Sequence, residues 1–321
     1  ALRWMKQKQN EDGAWPGTDS PTAMCGLALL CYMAHGETPA SKEFGPTVEK
    51  AIRYLLNAQA ANGRFSNAGA NYAYGHAIAT YALAEAYGMT RMVMLKEAME
   101  KAAQVIIDGQ QSGGAFDYNY AKTVRRDMSV TGWQVQALKA VKLAGAANER
   151  LDECMYKCVA GVKSFASPGG GFGYSGPDNS PTLAGAGILC LQFLGRAEDP
   201  IVAKAFEATA KVLPAWPAAG GTTYGWYYMT QARFQKDAPD GPMWKTWNRA
   251  MLPMLVKNQQ PDGHWESGST ASACAVYDTA LCCLSLEVYY RYSLVMTRPD
   301  EGRRVPRTED VVDSQLAIIS M

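Results

Sequence analysis

The chain has 321 residues, a formal charge of +1 and 48% apolar residues, enough to bury one large core or two ordinary ones. Its 31 basic and 30 acidic residues are interspersed, which excludes the basic face that a nucleic-acid partner needs. No run approaches the roughly 18 consecutive apolar residues of a membrane span, and a membrane-surface partner is not indicated.

Leu2 to Lys8 reads as the last turns of a first helix, shortened at its start, with no basic and apolar leader pattern before it. Gln9-Asn10-Glu11-Asp12-Gly13-Ala14-Trp15 follows as a turn, because Asp can cap its own backbone and Gly accepts a positive φ. Asp19-Ser20-Pro21-Thr22 then starts a helix, Ala23 to Met33, that is apolar nearly all round and therefore buried. Pro46 to Ala58 mixes Glu49, Lys50 and Arg53 with Ile52, Leu55 and Leu56, as a helix with one solvent face does.

The alternation continues to the end. Asn71 to Tyr87, Ser129 to Leu143, Pro181 to Leu194, Tyr224 to Ala232 and Ala271 to Leu286 are apolar or aromatic. Leu95 to Ile107, Leu151 to Phe165, Ile201 to Leu213 and Met243 to Asn258 are amphipathic. The turns between them repeat. Gln59 to Phe65, Gln110 to Phe116 and Gln259 to Trp265 all read Gln, three residues, Gly, one residue, aromatic.

Gly13, Gly63 and Gly114 lie 50 and 51 residues apart, and a degenerate copy, Gly169-Gly170-Gly171-Phe172, sits 57 residues beyond Gly114. A weaker copy, Gly220-Gly221 before Tyr224, precedes Gly263. A period near 50 that is too long for one helix and lacks strand alternation implies a helix pair per repeat. An open solenoid needs polar capping repeats, and none is present. The fold expected is all-α: one closed (α/α)6 toroid over residues 1–292, with residues 23–33, 72–87, 129–143, 181–194, 224–234 and 271–289 inside. The charged stretch Arg298 to Arg304, with its Pro and Gly, ends the helices, and residues 293–321 are expected as a tail packed on the ring.

The eight cysteines fall in apolar or helical runs without zinc-finger spacing. They read as packed, reduced thiols, which points to a reducing compartment such as the cytoplasm.

The Gln-x-x-x-Gly-x-Trp/Phe turns resemble the QW-type repeats of the squalene cyclase and protein prenyltransferase superfamily. Asp19-Ser20-Pro21-Thr22-Ala23, Asp127-Met128-Ser129-Val130-Thr131-Gly132-Trp133 and Tyr277-Asp278-Thr279-Ala280 are similar to the starts of that superfamily's inner helices. The resemblance covers residues 1 to about 292. It implies a terpenoid-cyclase fold, and a function that ranges from polycyclisation and lipid transfer to uncharacterised repeat proteins.

Two aspartates are candidate catalytic residues. Squalene cyclases protonate an alkene from an Asp-x-Asp-Asp-Thr-Ala element, and Ala275 to Ala280 retains only its last Asp, Thr and Ala, which makes Asp278 the nearest match. Asp127 is the second, although both also read as helix N-caps. Tyr72, His76, Trp133, Tyr174, Tyr224 and Trp226 are candidate substrate-binding residues, since an aromatic cavity suits an isoprenoid or other lipid and stabilises a carbocation. Arg125 and Arg126 have the forked geometry that suits a diphosphate. No cofactor and no metal are expected, because the zinc-binding Asp, Cys and His of prenyltransferases have no counterparts here, and Asp278 stands where that histidine would be. The alternatives are a non-catalytic toroid scaffold within a larger chain, and glycan chemistry on paired carboxylates near the inner-helix starts.

Overall fold

The computed structural model describes residues 1–16, 19–217, 222–267 and 274–291. Among them the chain is all-helical. The elements are α1 (Leu2–Lys8), α2 (Pro21–Ala34), α3 (Gly45–Ala58), α4 (Tyr72–Thr90), α5 (Val93–Gly109), α6 (Met128–Ala144), α7 (Leu151–Lys163), α8 (Pro181–Phe193), α9 (Pro200–Thr209), α10 (Thr222–Asp237), α11 (Pro242–Asn258) and α12 (Ala275–Leu286). A single turn, α13 (Val288–Arg291), follows, and a 3-10 turn spans Tyr118–Tyr120. The tail expected from residue 293, the turn at Gly220-Gly221 and the expected start of α12 at residues 271–273 lie outside the described residues.

The even-numbered helices α2 to α12 form the inner ring. Each packs on the next, and α12 returns to α2 to close the circle. The odd-numbered helices α1 to α11 lie outside, each against its inner partner. The twelve helices expected from the alternation are therefore present as a closed α/α toroid. Several boundaries moved: α4 runs to Thr90 rather than Tyr87, α10 to Asp237 rather than Ala232, and α9 ends at Thr209 rather than Leu213. Thr209 turns its hydroxyl back onto Ala205 O at 2.8 Å, and Pro214, which cannot donate to a helical ladder, follows.

Two inner-helix starts, those of α2 and α6, are capped by short polar side chains. Ser20 accepts from Ala23 N ahead of Pro21 at the first position of α2, and Asp127 accepts from Val130 N at 3.1 Å on α6. At α12 the cap is Cys274, which takes Tyr277 N, rather than Asp278 as expected.

The repeated turn has a mechanical explanation. Each glycine has a positive φ, +98° at Gly13, +82° at Gly63, +86° at Gly114, +90° at Gly170 and +100° at Gly263. At Gly13, Gly63 and Gly114 the space for a Cβ is taken by a backbone carbonyl of the following outer helix, at Lys50, Lys101 and Lys157. The glutamine amide then bridges its own turn to that helix. Gln9 Nε2 donates to Gly13 O (3.0 Å) and Thr47 O (3.1 Å), Gln59 to Gly63 O (3.3 Å) and Ala98 O (2.8 Å), and Gln110 to Gly114 O (3.1 Å) and Cys154 O (2.9 Å). The aromatic looks the other way: the indole of Trp15 donates to Met5 O (2.7 Å), and that of Trp265 to Leu255 O (2.8 Å), both on the preceding outer helix. The turn thus ties consecutive outer helices together. In the degenerate copy Gly170, against Lys204 O, takes the glycine role, and in place of a glutamine bridge Ser167 Oγ accepts from Gly171 N within the turn.

Loss of one such bridge should be measurable. Gln110→Ala removes donors from Gly114 O and Cys154 O, each hydrogen bond being worth about 0.5–1.5 kcal/mol net. Urea unfolding should show a loss of about 1–3 kcal/mol, whereas Gln111→Ala acts on different carbonyls, Ala121 O and Arg125 O.

The core is continuous from α1 to α13. All eight cysteines are thiols, seven of them buried and Cys274 half-buried. No helix among the described residues is long and apolar enough to cross a membrane.

Candidate functional site

A cavity of about 550 Å3 opens at the end of the ring where the inner helices begin. Its walls come from the starts of α2, α4, α6, α8, α10 and α12 together with the turns that precede them. Six aromatic rings face it: Tyr74, Tyr118, Trp133, Tyr174, Tyr224 and Tyr277. Ala23, Met24, Ile78 and Leu183 supply aliphatic wall, and Ser20, Ser129, Ser180 and Thr182 supply hydroxyls. Among the described residues Asp19 is the lining carboxylate, and its Oδ2 accepts from Ala70 N at 3.0 Å.

Three of the expected binding residues, Trp133, Tyr174 and Tyr224, line this space. Trp133 is buried and held by Tyr227 (stacked, 5.6 Å between centroids) and Tyr228 (edge-on, 5.8 Å). Tyr224 donates to Ser129 O at 3.3 Å. Tyr174, on the loop before α8, is half-exposed at the rim.

Tyr72, His76 and Trp226 lie elsewhere. The reason is helical phase: residues four apart share a face, and residues two apart point in nearly opposite directions. On α4 the cavity face is Tyr74 and Ile78, while Tyr72 and His76 face the outer layer. His76 is fully buried. Its Nε2–H donates to Ala102 O at 2.9 Å on α5, which leaves Nδ1 to accept from the Tyr72 hydroxyl at 2.8 Å, and that hydroxyl accepts from Phe65 N at 3.0 Å. Arg64 covers the Tyr72 ring at 4.1 Å. Trp226 is buried against Trp216, with ring centroids 5.9 Å apart.

Burial lowers the His76 pKa from 6.5 to about 4. The folded protein therefore holds fewer protons here than the unfolded chain between those values, and stability from this group is present above pH 6.5 and lost as pH falls towards 4. We expect the stability difference between wild type and His76→Gln to shrink by about 2–3 kcal/mol from pH 7 to pH 4. Paired thermal melts across that range would check it, and a constant difference would contradict it.

Both expected catalytic aspartates are buried, and neither lines the cavity. Asp127 accepts from Ser129 Oγ (2.6 Å) and Val130 N (3.1 Å) on one oxygen and from Tyr118 OH (3.0 Å) on the other, with the Arg125 guanidinium 3.5 Å away. It is nevertheless connected to the cavity. The Tyr74 hydroxyl bonds Ser129 Oγ, so Asp127 sits directly behind three lining residues, Tyr74, Ser129 and Tyr118. Asp278 accepts from Thr223 Oγ1 (3.0 Å), Ser267 N (2.9 Å) and Ser267 Oγ (2.6 Å), tying the start of α12 to α10 and to the Trp265 turn.

The two arginines are also engaged. Arg125 pairs with Asp117 and lies 4.2 Å over the Tyr118 ring, while Arg126 donates to Ser164 Oγ at 2.9 Å and covers Phe165. Neither reaches the cavity wall.

Tyr74, Tyr277 and Ser129 were not singled out as binding residues from sequence. The spacing Tyr74/Ile78 and Ser129/Trp133, four apart on each helix, carries the signal. It is readable only once the outward face of each helix is known.

No protein-family model matches the chain, and no curated protein matches it. Solved structures do. An α-1,6-mannanase of glycoside hydrolase family 76 from Salegentibacter sp. is 12% identical, with 91% of this chain and 97% of that one covered at a TM-score of 0.67. The cellobiose 2-epimerase of Spirochaeta thermophila is 14% identical over 92% of this chain and 94% of its own, at 0.66. A type II terpene cyclase from Scytonema, in complex with geranylgeranyl dihydroxybenzoate, is 14% identical over 90% and 95%, at 0.60. What the chain shares with these carbohydrate-active and terpenoid proteins is the α/α-toroid fold.

Proposed function

We propose that the cavity binds an apolar small molecule with an extended, unsaturated framework of isoprenoid type, and that the protein acts as an isoprenoid-handling toroid. The observation that carries this reading is the lining: six aromatic rings from six different segments converge on one space of about 550 Å3. That volume falls within the roughly 300–1,000 Å3 of pockets that enclose drug-sized ligands in mostly apolar walls. Ring faces attract π-bonded and cationic centres, and the tyrosine hydroxyls are held by partners such as Ser129, which leaves the rings oriented.

The same lining argues against glycan hydrolysis. That chemistry uses two carboxylates flanking the scissile bond, about 5–9.5 Å apart, whereas Asp19 is the one carboxylate on the described wall and it accepts from a backbone amide. In this reading Asp127 orients Tyr118 and, through Ser129, Tyr74, and Asp278 fastens α12. Both accept hydrogen bonds from donors on the protein, in place of offering a proton to an alkene in the cavity.

The test is a titration that follows tryptophan fluorescence with geranylgeraniol, geranylgeranyl diphosphate and α-1,6-mannotetraose. Saturable quenching by both prenyl compounds, and none by the oligosaccharide, supports the reading. Binding of the oligosaccharide alone would transfer the cavity to sugar chemistry, and binding of nothing would leave a scaffold.

A further inference from the structure

The end of the ring opposite the cavity holds a cluster that the proposed function does not use. Cys31 lies near the end of α2, Cys283 near the end of α12, and Glu287 immediately follows α12. One ligand atom from each lies within 4.8 Å of the other two, and all three residues are buried. Cys283 and Glu287 are four apart and so share one helical face, the spacing at which two side chains chelate a single ion. The third donor comes across the seam where the last inner helix packs on the first.

We propose that Cys31, Cys283 and Glu287 form a buried site for a thiophilic divalent cation, Zn2+ first among them, that fastens α12 to α2 and closes the ring. A second observation points to a ligand. Oε2 of Glu287 is buried without a hydrogen bond of its own among the described residues, while the carboxyl as a whole already faces the Cys283 thiol, and a cation between them would satisfy the free oxygen. Two sulfurs and one carboxylate oxygen fill three of zinc's four tetrahedral positions, at about 2.3 Å for sulfur and 2.0–2.2 Å for oxygen, and a water would take the fourth. Tetrahedral bonds of that length place two sulfurs about 3.8 Å apart, so side-chain shifts of at most about 1 Å assemble the site. Uptake displaces to solvent the two thiol protons and any proton that burial holds on the Glu287 carboxyl, and changes no oxidation state.

The contrast with the other thiols supports the choice. Cys154 and Cys158 are also four apart, but no third metal-ligating group joins them among the described residues. The expectation of a metal-free protein rested on the segment around Asp278. This cluster lies further along α12 and joins positions more than 250 residues apart in sequence, and that expectation did not weigh it.

Titration of the reduced, metal-stripped protein with Co2+ tests the site. One equivalent should bind with a thiolate-to-cobalt charge-transfer band that Zn2+ bleaches. Cys31→Ser and Cys283→Ser should each weaken uptake at least tenfold and reduce the band, and Glu287→Gln should weaken uptake while keeping both thiolates in the band. Cys190→Ser, a buried thiol outside the cluster, should change nothing. If the serine variants do not fold, alkylation of wild type in sub-denaturing urea, read by mass spectrometry, serves instead: one equivalent of Zn2+ should slow modification of Cys31 and Cys283 but not of the half-buried Cys274. The absence of a charge-transfer band in wild type, a band that survives both serine substitutions, or equal alkylation with and without Zn2+ would overturn the proposal.

Discussion

Gly114→Ala should destabilise the protein by more than about 3 kcal/mol. The residue sits at φ +86°, and its Cβ would overlap the carbonyl of Lys157 on α7. The positive φ alone costs an L-residue about 1–2 kcal/mol. The collision is with backbone, so relief requires α7 to move away from the turn, and the bond from Gln110 to Cys154 O spans that same gap. A loss of this size is a large fraction of the 5–15 kcal/mol that holds a typical domain together. Gly113, one residue earlier, has open space where its Cβ would go, so Gly113→Ala should be nearly silent. Urea unfolding of the pair separates the clamp from a general effect of adding a methyl group. Equal midpoints for the two variants would mean that the turn does not hold the outer layer.

Trp133→Ala should have the second large effect, on ligand and fold together. The indole is both a wall of the cavity and a packing partner of Tyr227 and Tyr228. Truncating a buried tryptophan typically costs 3–5 kcal/mol of stability, because the space left does not collapse fully. An aromatic side chain contributes roughly 150–250 Å2 of contact area, so geranylgeraniol affinity should fall by about 10–100-fold. Trp226→Ala provides the comparison. It removes an equally large ring that packs on Trp216 away from the cavity, so it should lose stability and keep affinity within about threefold. Equal losses of affinity in the two variants would show that binding depends on the integrity of the ring and not on this wall.

These two variants mark what was legible in the sequence. The turn glycines were readable because the same positive φ recurs at Gly13, Gly63, Gly114, Gly170 and Gly263, a conformation glycine adopts without a Cβ clash. The inner and outer layers were readable because burial on all sides and burial on one side leave different charge patterns on a helix. The phase of each inner helix was not. Tyr72-Ala73-Tyr74 offers two tyrosines, and nothing in the string says that Tyr72 will turn to His76 and Phe65 while Tyr74 turns inward. The aspartates were equally opaque. Asp127 could be read as a cap, but its link through Ser129 to Tyr74 depends on α4 and α6 lying side by side. Asp278 was expected to be catalytic from its Asp-Thr-Ala segment alone, and its partners, Ser267 and Thr223, come from segments whose proximity appears only after folding. The Cys31, Cys283 and Glu287 cluster has no sequence signature at all, since it exists only because the ring closes.

The claim that the aromatic cavity is a binding site is tested most directly by a crystal structure of the protein soaked with geranylgeraniol. The account predicts continuous density for the prenyl chain inside the ring, in contact with Tyr74, Trp133, Tyr224 and Tyr277, and with Asp127 still bonded to Ser129 and Tyr118. An empty cavity at a concentration that saturates the fluorescence signal, or a chain bound on the outer surface between odd-numbered helices, would contradict it.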